Sequence, residues 1–119
     1  MQKDPRTHKI IGAAMEVHNE MGPGHLEAVY QEWLEIEFEL QGILFISKPN
    51  LSLYYKTRKL KKFYVPDFIV FGDIVLEIKA QTMLTTDDAA QISNSLKSSG
   101  HEIGLLINSC ARRVLENHH

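Results

Sequence analysis

Cysteine is almost absent from this 119-residue chain: Cys110 stands alone, so no disulfide can form within the chain. A protein without internal disulfides fits a reducing compartment, and we expect it in the cytoplasm. No apolar run approaches the roughly 20 residues that cross a bilayer, and the N-terminal MQKDPRTHKI has no signal-peptide pattern. We therefore expect no membrane partner. The closing LENHH is set aside, because an expression vector can leave such an ending.

Repeats, linkers and low-complexity tracts are also missing, which predicts one domain over residues 1–119. Charge is unevenly spread although the net charge is only −2. The segment 56–62 has five cations and no acid, whereas 27–39 has five glutamates and no cation. This pattern predicts a basic hairpin and an acidic helix. The basic cluster is either a solvated loop or a phosphate-binding surface; its members are Lys56, Arg58, Lys59, Lys61 and Lys62.

Helix and strand signals alternate along the chain. Pro5 favours a helix start, and Thr85 with Asp88 three residues later is typical of a capping box. The periodicity predicts three helices at 5–21, 25–41 and 85–99, and five strands at 43–46, 51–55, 61–70, 74–80 and 102–108. The order α-α-β-β-β-β-α-β indicates a mixed α/β fold, with helices packed on a central sheet.

Besides Asp73 in its turn, three charges interrupt the most apolar stretch, YVPDFIVFGDIVLEIKA at 64–80. They are Asp67, Glu77 and Lys79, and a buried charge is costly unless it is paired or holds a metal. Because side chains alternate along a strand, Glu77 and Lys79 share one face.

The turn at 71–73 decides where Asp67 lies relative to Glu77. A three-residue loop pairs Val70 with Ile74 and places Asp67 opposite Glu77 on one face. A two-residue turn would scatter the acids over both faces and leave unpaired charge in the core, so we expect the three-residue loop.

Two carboxylates this close repel each other and need a cation. Lys79 could neutralise one of them, and a divalent hard cation could neutralise both. A purely structural cluster of Asp67, Glu77 and Lys79 stays open at this point.

The second predicted helix adds further acids. Its apolar residues are expected to cover one side, with Glu32, Glu35 and Glu39 opposite, in water. Glu27 falls on the buried side, where it is either a first-turn acid or a ligand. Glu37 lies within the apolar stripe, and we expect its carboxylate to accept hydrogen bonds from nearby backbone.

These residues resemble a known pattern. PD at 66–67 followed by EIK at 77–79 is similar to the motif of the PD-(D/E)XK nuclease superfamily. GHLEAVY at 24–30 resembles the signature of the GxxExxY family, a branch of that superfamily. Residues 13–43 look like its N-terminal helices, and 90–108 look like its closing helix and strand.

The resemblance implies a restriction-endonuclease-like core and a metal site. Asp67 and Glu77 would ligate Mg²⁺ or Mn²⁺ together with the backbone carbonyl of Ile78. Lys79 would orient or deprotonate the attacking water, or stabilise charge on the phosphate. Glu27 would act as a further ligand or water-positioning acid.

The resemblance also concerns four other positions. Gln91 matches a glutamine that lies near the site in many relatives. His18 and Glu37 match family positions, and for His18 we favour a role in helix packing over a hydrogen bond to Glu27. Several branches have a tyrosine four residues after the glutamine, where this chain has Ser95.

The expected function is metal-dependent phosphodiester hydrolysis on DNA with little sequence specificity. The five basic residues of 56–62 would contact backbone phosphates. One alternative is a non-catalytic module that binds nucleic acid or protein, with a homodimer through an apolar helix face as a further hypothesis. The other is the purely structural ion cluster.

Overall fold

The computed structural model describes residues 4–81, 83–110 and 113–118. In these ranges the helices are α1 (Pro5–Met21), α2 (Glu27–Gln41) and α3 (Thr86–Ser99). The strands are β1 (Phe45–Ser47), β2 (Leu51–Tyr55), β3 (Arg58–Tyr64), β4 (Phe68–Val70), β5 (Ile74–Lys79), β6 (Ile103–Asn108) and β7 (Arg113–His118). The predicted capping box is present, since Thr85 and Asp88 each accept the other's backbone N–H.

Five strands form one sheet in the order β1-β4-β5-β6-β7, and β2 pairs with β3 in a separate hairpin. Within the five-stranded sheet β5 and β6 run parallel, and the other pairs are antiparallel. Helices α1 and α2 cover one face, while α3 packs on the other with Ile69 and Val75. The predicted mixed sheet flanked by helices is therefore confirmed.

The β4–β5 register agrees with the prediction. Val70 pairs with Ile74, and Phe68 pairs with Leu76. In the connecting turn Phe71 and Gly72 both have positive φ, at 56° and 75°. The side chain of Leu76 contributes to the core under α1 and α2, and Val75 to the core under α3. This alternation puts Glu77 on the α3 side of β5.

The strand predicted at 61–70 is two strands. β3 ends at Tyr64 and β4 begins at Phe68. Pro66, between them, has no N–H to donate to a ladder, and the backbone N–H of Asp67 bonds to a side chain. β3 begins at Arg58 rather than at residue 61, so Arg58 and Lys59 lie in the strand and not in the turn before it. Lys61 and Lys62 lie in the strand, as predicted.

The C-terminal strand β7 was not predicted. It pairs antiparallel with β6 and includes four residues of the LENHH ending, 115–118. Val114 packs against the core under α1 and α2, and Leu115 against the core under α3. These two apolar residues were too short a run to predict a strand from periodicity.

Helix α2 buries a narrower face than predicted. Tyr30, Leu34 and Phe38 are buried, but Leu26 and Leu40 are 75% and 76% exposed. The three buried residues are spaced four apart and pack in the core, whereas Leu26 and Leu40 point away from it. Among the described residues, no helix has the length and apolarity that a membrane span requires.

Candidate functional site

Asp67 and Glu77 meet where β4 and β5 separate. The backbone N–H of Asp67 donates to Oε1 of Glu77 at 3.1 Å. The backbone N–H of Ile78 donates to Oδ2 of Asp67 at 2.7 Å. Because β4 begins only at Phe68, the backbone N–H of Ile78 on β5 bonds to the Asp67 carboxylate and not to the backbone of β4. The structure therefore brings Asp67, Glu77 and the Ile78 backbone together.

Lys48, just after β1, holds Asp67 from the other side. Its ammonium lies 2.6 Å from Oδ1 of Asp67, and its backbone N–H donates to the Asp67 carbonyl at 2.9 Å. The same carbonyl accepts a hydrogen bond from Nε2 of Gln31 at 3.2 Å. From the sequence, Lys79 was one candidate to neutralise a carboxylate of the pair, but the ion pair to Asp67 is made by Lys48.

Glu77 is half-buried on the α3 side of the sheet. Burial and the charge of Asp67 raise the pKa of Glu77 above its ordinary value. The hydroxyl of Tyr64 donates to Oε2 of Glu77 at 2.9 Å and opposes that rise. Burial and the neighbouring Glu77 in turn raise the pKa of Tyr64.

Lys79 follows Glu77 by two residues on β5 and is half-buried. Its charge lowers the pKa of Glu77. The Lys79 carbonyl accepts a hydrogen bond from the backbone N–H of Ser109 at 2.7 Å, which ties the end of β5 to the chain after β6. Among the residues that the structure describes, Lys79 makes no ion pair.

Glu27 is exposed at the start of α2, not buried as predicted. Its Oε1 accepts a hydrogen bond from the backbone N–H of Ala80 at 3.0 Å, which brings it to the end of β5. Within the described ranges, no three His, Cys, Asp or Glu side chains are grouped closely enough to hold a metal. Glu27 therefore does not complete a three-carboxylate cluster, and its role as a ligand stays a prediction.

An acidic cleft of about 310 Å³ lies beside α2, Lys48 and Asp67. It is lined by Glu27, Ala28, Gln31, Glu32, Glu35, Lys48 and Asp67. Four of these side chains are carboxylates and one is an amine, so the acidic cleft favours cations and repels phosphates. Glu35, expected in water, accepts a hydrogen bond from the hydroxyl of Ser47.

Gln91 lies on α3 in a different cleft. This hairpin cleft, of about 290 Å³, is lined by Leu53, Phe63, Tyr64, Gln91, Asn94, Ser95 and Ser98. Tyr64 belongs to the hairpin cleft and also bonds to Glu77, so the cleft adjoins the carboxylate pair. Gln91 is exposed and does not line the acidic cleft.

His18 packs helices, as favoured from the sequence. It is buried, with Nδ1 3.0 Å from the Ala14 carbonyl and Nε2 3.2 Å from the Asn108 carbonyl. Its ring also contacts Tyr30, whose hydroxyl lies 3.2 Å from Nδ1. Glu37 accepts a hydrogen bond from the Gln41 side chain, at 2.6 Å, rather than from the backbone.

The basic residues line the β2–β3 hairpin. Lys56 is in the turn with φ of 55°, and the other four lie in β3. All five are exposed, as Lys56, Arg58, Lys59, Lys61 and Lys62. The ammonium of Lys59 lies 5.6 Å from the centroid of the Phe63 ring. The hairpin therefore presents cations beside an aromatic ring.

Three residues near the site were not identified from the sequence: Lys48, Tyr64 and Asn108. Asn108 is fully buried beside Lys79, and its Oδ1 accepts from the backbone N–H groups of Gln81 at 3.3 Å and Cys110 at 3.1 Å. Its Nδ2 has no hydrogen-bond partner in the described part of the chain. A polar residue closing the apolar strand 102–108 was the available signal for Asn108.

Residues 4–117 match the sequence model of a family described as the PD-(D/E)XK nuclease superfamily. The match covers nearly the whole chain. The mixed sheet flanked by helices is consistent with the restriction-endonuclease-like fold of the resemblance. Comparisons with curated proteins and with solved structures each gave no match.

Proposed function

The chain belongs to the PD-(D/E)XK nuclease superfamily, and from this premise we propose that it is a metal-dependent nuclease that hydrolyses DNA with little sequence specificity. Membership of the superfamily suggests a nucleic-acid substrate and nuclease-like activity. The single observation that carries the proposal is the meeting of Asp67 and Glu77 at the Ile78 backbone.

The donor atoms at this point suit Mg²⁺ or Mn²⁺. Two carboxylates and a backbone carbonyl are hard oxygen ligands, and Mg²⁺ usually takes one or two carboxylates while it keeps several waters. Asp67, Glu77 and the carbonyl of Ile78 would hold the ion, with Glu27 as a further ligand or water-positioning acid. A bound ion would supply a water of lowered pKa and charge stabilisation at the phosphate.

The chain's own residues would position the attacking water and the substrate. Lys79, on the same side of β5 as Glu77, would orient the attacking water or place its ammonium against the developing charge on the phosphate. Gln91 would contact the substrate from the α3 side. Tyr64 fixes the Glu77 carboxylate through its hydroxyl.

The exposed cations of the hairpin support DNA as the substrate. Lys56, Arg58, Lys59, Lys61 and Lys62 would contact phosphates, which carry no sequence information. We assign the chain to the GxxExxY branch on the residues GHLEAVY at 24–30, of which Glu27 and Tyr30 lie on α2.

The proposal is tested by incubating the protein with Mn²⁺ and a panel of duplex, single-stranded and branched DNA. We expect cleavage by the wild type and a loss of at least about a hundredfold in rate for Lys79→Ala. Asp87→Asn, which removes an exposed carboxylate from α3, is the matched control and should cleave normally. No cleavage of any DNA, or equal cleavage by Lys79→Ala, would contradict the proposal.

Mn²⁺ binding by calorimetry separates the two alternatives. Binding of Mn²⁺ and salt-sensitive binding of DNA without cleavage would favour the non-catalytic module. Absence of any effect of Mn²⁺ on heat release or on thermal stability would favour the structural ion cluster. A cytoplasmic location and a homodimer stay predictions.

A further inference from the structure

The hairpin cleft has one wall from β2 and β3 and the other from α3. The α3 wall consists of polar residues at helical spacing: Gln91, Asn94, Ser95 and Ser98. A helix face that packs on a hairpin is usually apolar. Here its small hydroxyl side chains leave open a volume of about 290 Å³.

The amides of this wall are not used by the fold. Neither Gln91 nor Asn94 has a side-chain hydrogen bond to another described residue. Both are exposed. An amide presents two donors and an acceptor with two lone pairs, which suits the edge of a nucleobase. The amides of Gln91 and Asn94 are thus available to a ligand, whereas the hydroxyl of Ser95 is hydrogen-bonded to Tyr64.

The opposite wall supplies an aromatic ring. Phe63 is 52% exposed and lines the hairpin cleft. Lys59 lies above its ring, and Lys61 and Lys62 directly precede Phe63 in β3. Aromatic rings beside cations are typical of sites for single-stranded nucleic acid, because bases stack on the rings while phosphates contact the cations.

The hairpin cleft is connected to the carboxylate pair through Tyr64, whose hydroxyl is 2.9 Å from Oε2 of Glu77. The acidic cleft on the other side of Asp67 carries four carboxylates and would repel a phosphate chain. A nucleic acid strand would therefore reach the pair from the hairpin side.

We infer that the hairpin cleft holds one unpaired base of single-stranded DNA, stacked on Phe63 and hydrogen-bonded by Gln91 and Asn94. The inference rests on the proposed function for its substrate class. Such a base site would discriminate among DNA substrates. A paired base has neither a free face for stacking nor a free Watson–Crick edge, whereas an unpaired base has both. Single strands and unpaired nucleotides are then preferred over uninterrupted duplex.

The experiment uses the intact protein in EDTA, so that no metal-dependent hydrolysis occurs. A short single-stranded DNA carries one 2-aminopurine, a fluorescent adenine analogue that is quenched by stacking. We expect quenching on binding by the wild type. Phe63→Leu should abolish the quenching and weaken binding at least about fivefold, since it removes a stacking ring and leaves the charge unchanged. Asn94→Ala should weaken binding without abolishing the quenching.

Tyr55→Leu is the matched control. Tyr55 is an exposed aromatic of the same hairpin with Lys56 5.5 Å from its ring centroid, but it does not line the cleft. Tyr55→Leu should leave quenching and affinity unchanged, and thermal melting verifies that each variant is folded. Unchanged binding by both Phe63→Leu and Asn94→Ala would overturn the inference, as would an equal effect of Tyr55→Leu or equal affinity for duplex DNA.

The two proposals fail separately. Cleavage of DNA with Mn²⁺ but no quenching in EDTA would overturn the base site and leave the nuclease intact. Quenching that depends on Phe63, without cleavage under any metal condition, would support the base site and contradict the nuclease.

Discussion

The ammonium of Lys48 lies 2.6 Å from Oδ1 of Asp67, while the backbone N–H of the same lysine bonds to the Asp67 carbonyl at 2.9 Å. One residue thus fixes both the side chain and the main chain of Asp67. The backbone of Lys48 has a positive φ of 50°, a conformation that is uncommon for a residue with a side chain. These contacts set a cation beside the carboxylate proposed to bind a metal.

Lys48→Met is expected to strengthen Mn²⁺ binding, because it removes a positive charge next to Asp67. The Lys48 side chain is 56% exposed, so solvent screens the interaction. We expect a gain of up to about fivefold, since exposed ion pairs contribute about 0.2–1 kcal/mol. Calorimetric titration measures the affinity, with Lys9→Met, an exposed lysine of α1, as the control. Equal or weaker binding by Lys48→Met would be inconsistent with competition for Asp67.

Glu77→Gln is expected to raise the melting temperature at neutral pH by a few degrees. The raised pKa of Glu77 means that the folded state holds its proton more tightly than the unfolded state. The contribution of Glu77 to folding stability is therefore fully present below the unfolded-state pKa of about 4.3. It is lost as the pH rises through the pKa of Glu77 in the folded state. A glutamine carries no charge and can still accept from Asp67 and donate to the Tyr64 hydroxyl.

Melting curves of the wild type and Glu77→Gln across the acidic and neutral range test this sign. The difference in melting temperature should shrink as the pH falls toward 4. A variant that is less stable than the wild type at pH 7 would show that burial does not penalise the Glu77 charge.

The folded state should be sensitive to Asn108. Asn108→Ala removes the acceptor of the backbone N–H groups of Gln81 and Cys110. A lost partner for a buried donor costs about 1–3 kcal/mol, and urea unfolding should show a loss of that size. Asn94→Ala, an exposed position on α3, should change stability by less than about 0.5 kcal/mol. Similar losses for the two variants would contradict the assigned contacts.

Salt dependence tests the basic hairpin. If Lys61 contacts a phosphate of single-stranded DNA, Lys61→Ala should reduce the slope of log affinity against log salt by about 0.7. Fluorescence anisotropy over a range of salt concentrations gives the slope. Lys9→Ala on α1 should leave it unchanged. A slope that Lys61→Ala does not alter would place the DNA away from β3.

The elements with strong local signals were predicted closely. α1 begins at Pro5 and ends at Met21 as predicted, and α3 carries the capping box at Thr85 and Asp88. The β4–β5 register followed from the cost of unpaired charge in a core, a local argument about one turn. Residues close together in the chain determine where a helix starts or ends and how a hairpin pairs. These features could therefore be predicted from the sequence.

The surroundings of the carboxylates depend on distant parts of the chain. Lys48 is 19 residues before Asp67, and Tyr64 is 13 before Glu77. No periodicity connects such positions, and an exposed lysine or a strand tyrosine has many ordinary roles. The exposed position of Glu27 was missed for a related reason: a helical wheel gives angles around α2 but not how much of each side the sheet covers.

The interruption between β3 and β4 separates the hairpin from the five-stranded sheet. Within the described ranges its two strands pair with each other and form no ladder with the five-stranded sheet. The length and charge of the hairpin can therefore vary while the five-stranded sheet stays intact, provided that Tyr64 remains to bond Glu77. Exchange of β2 and residues 58–63 between relatives would change the cationic surface and keep Tyr64 beside Glu77.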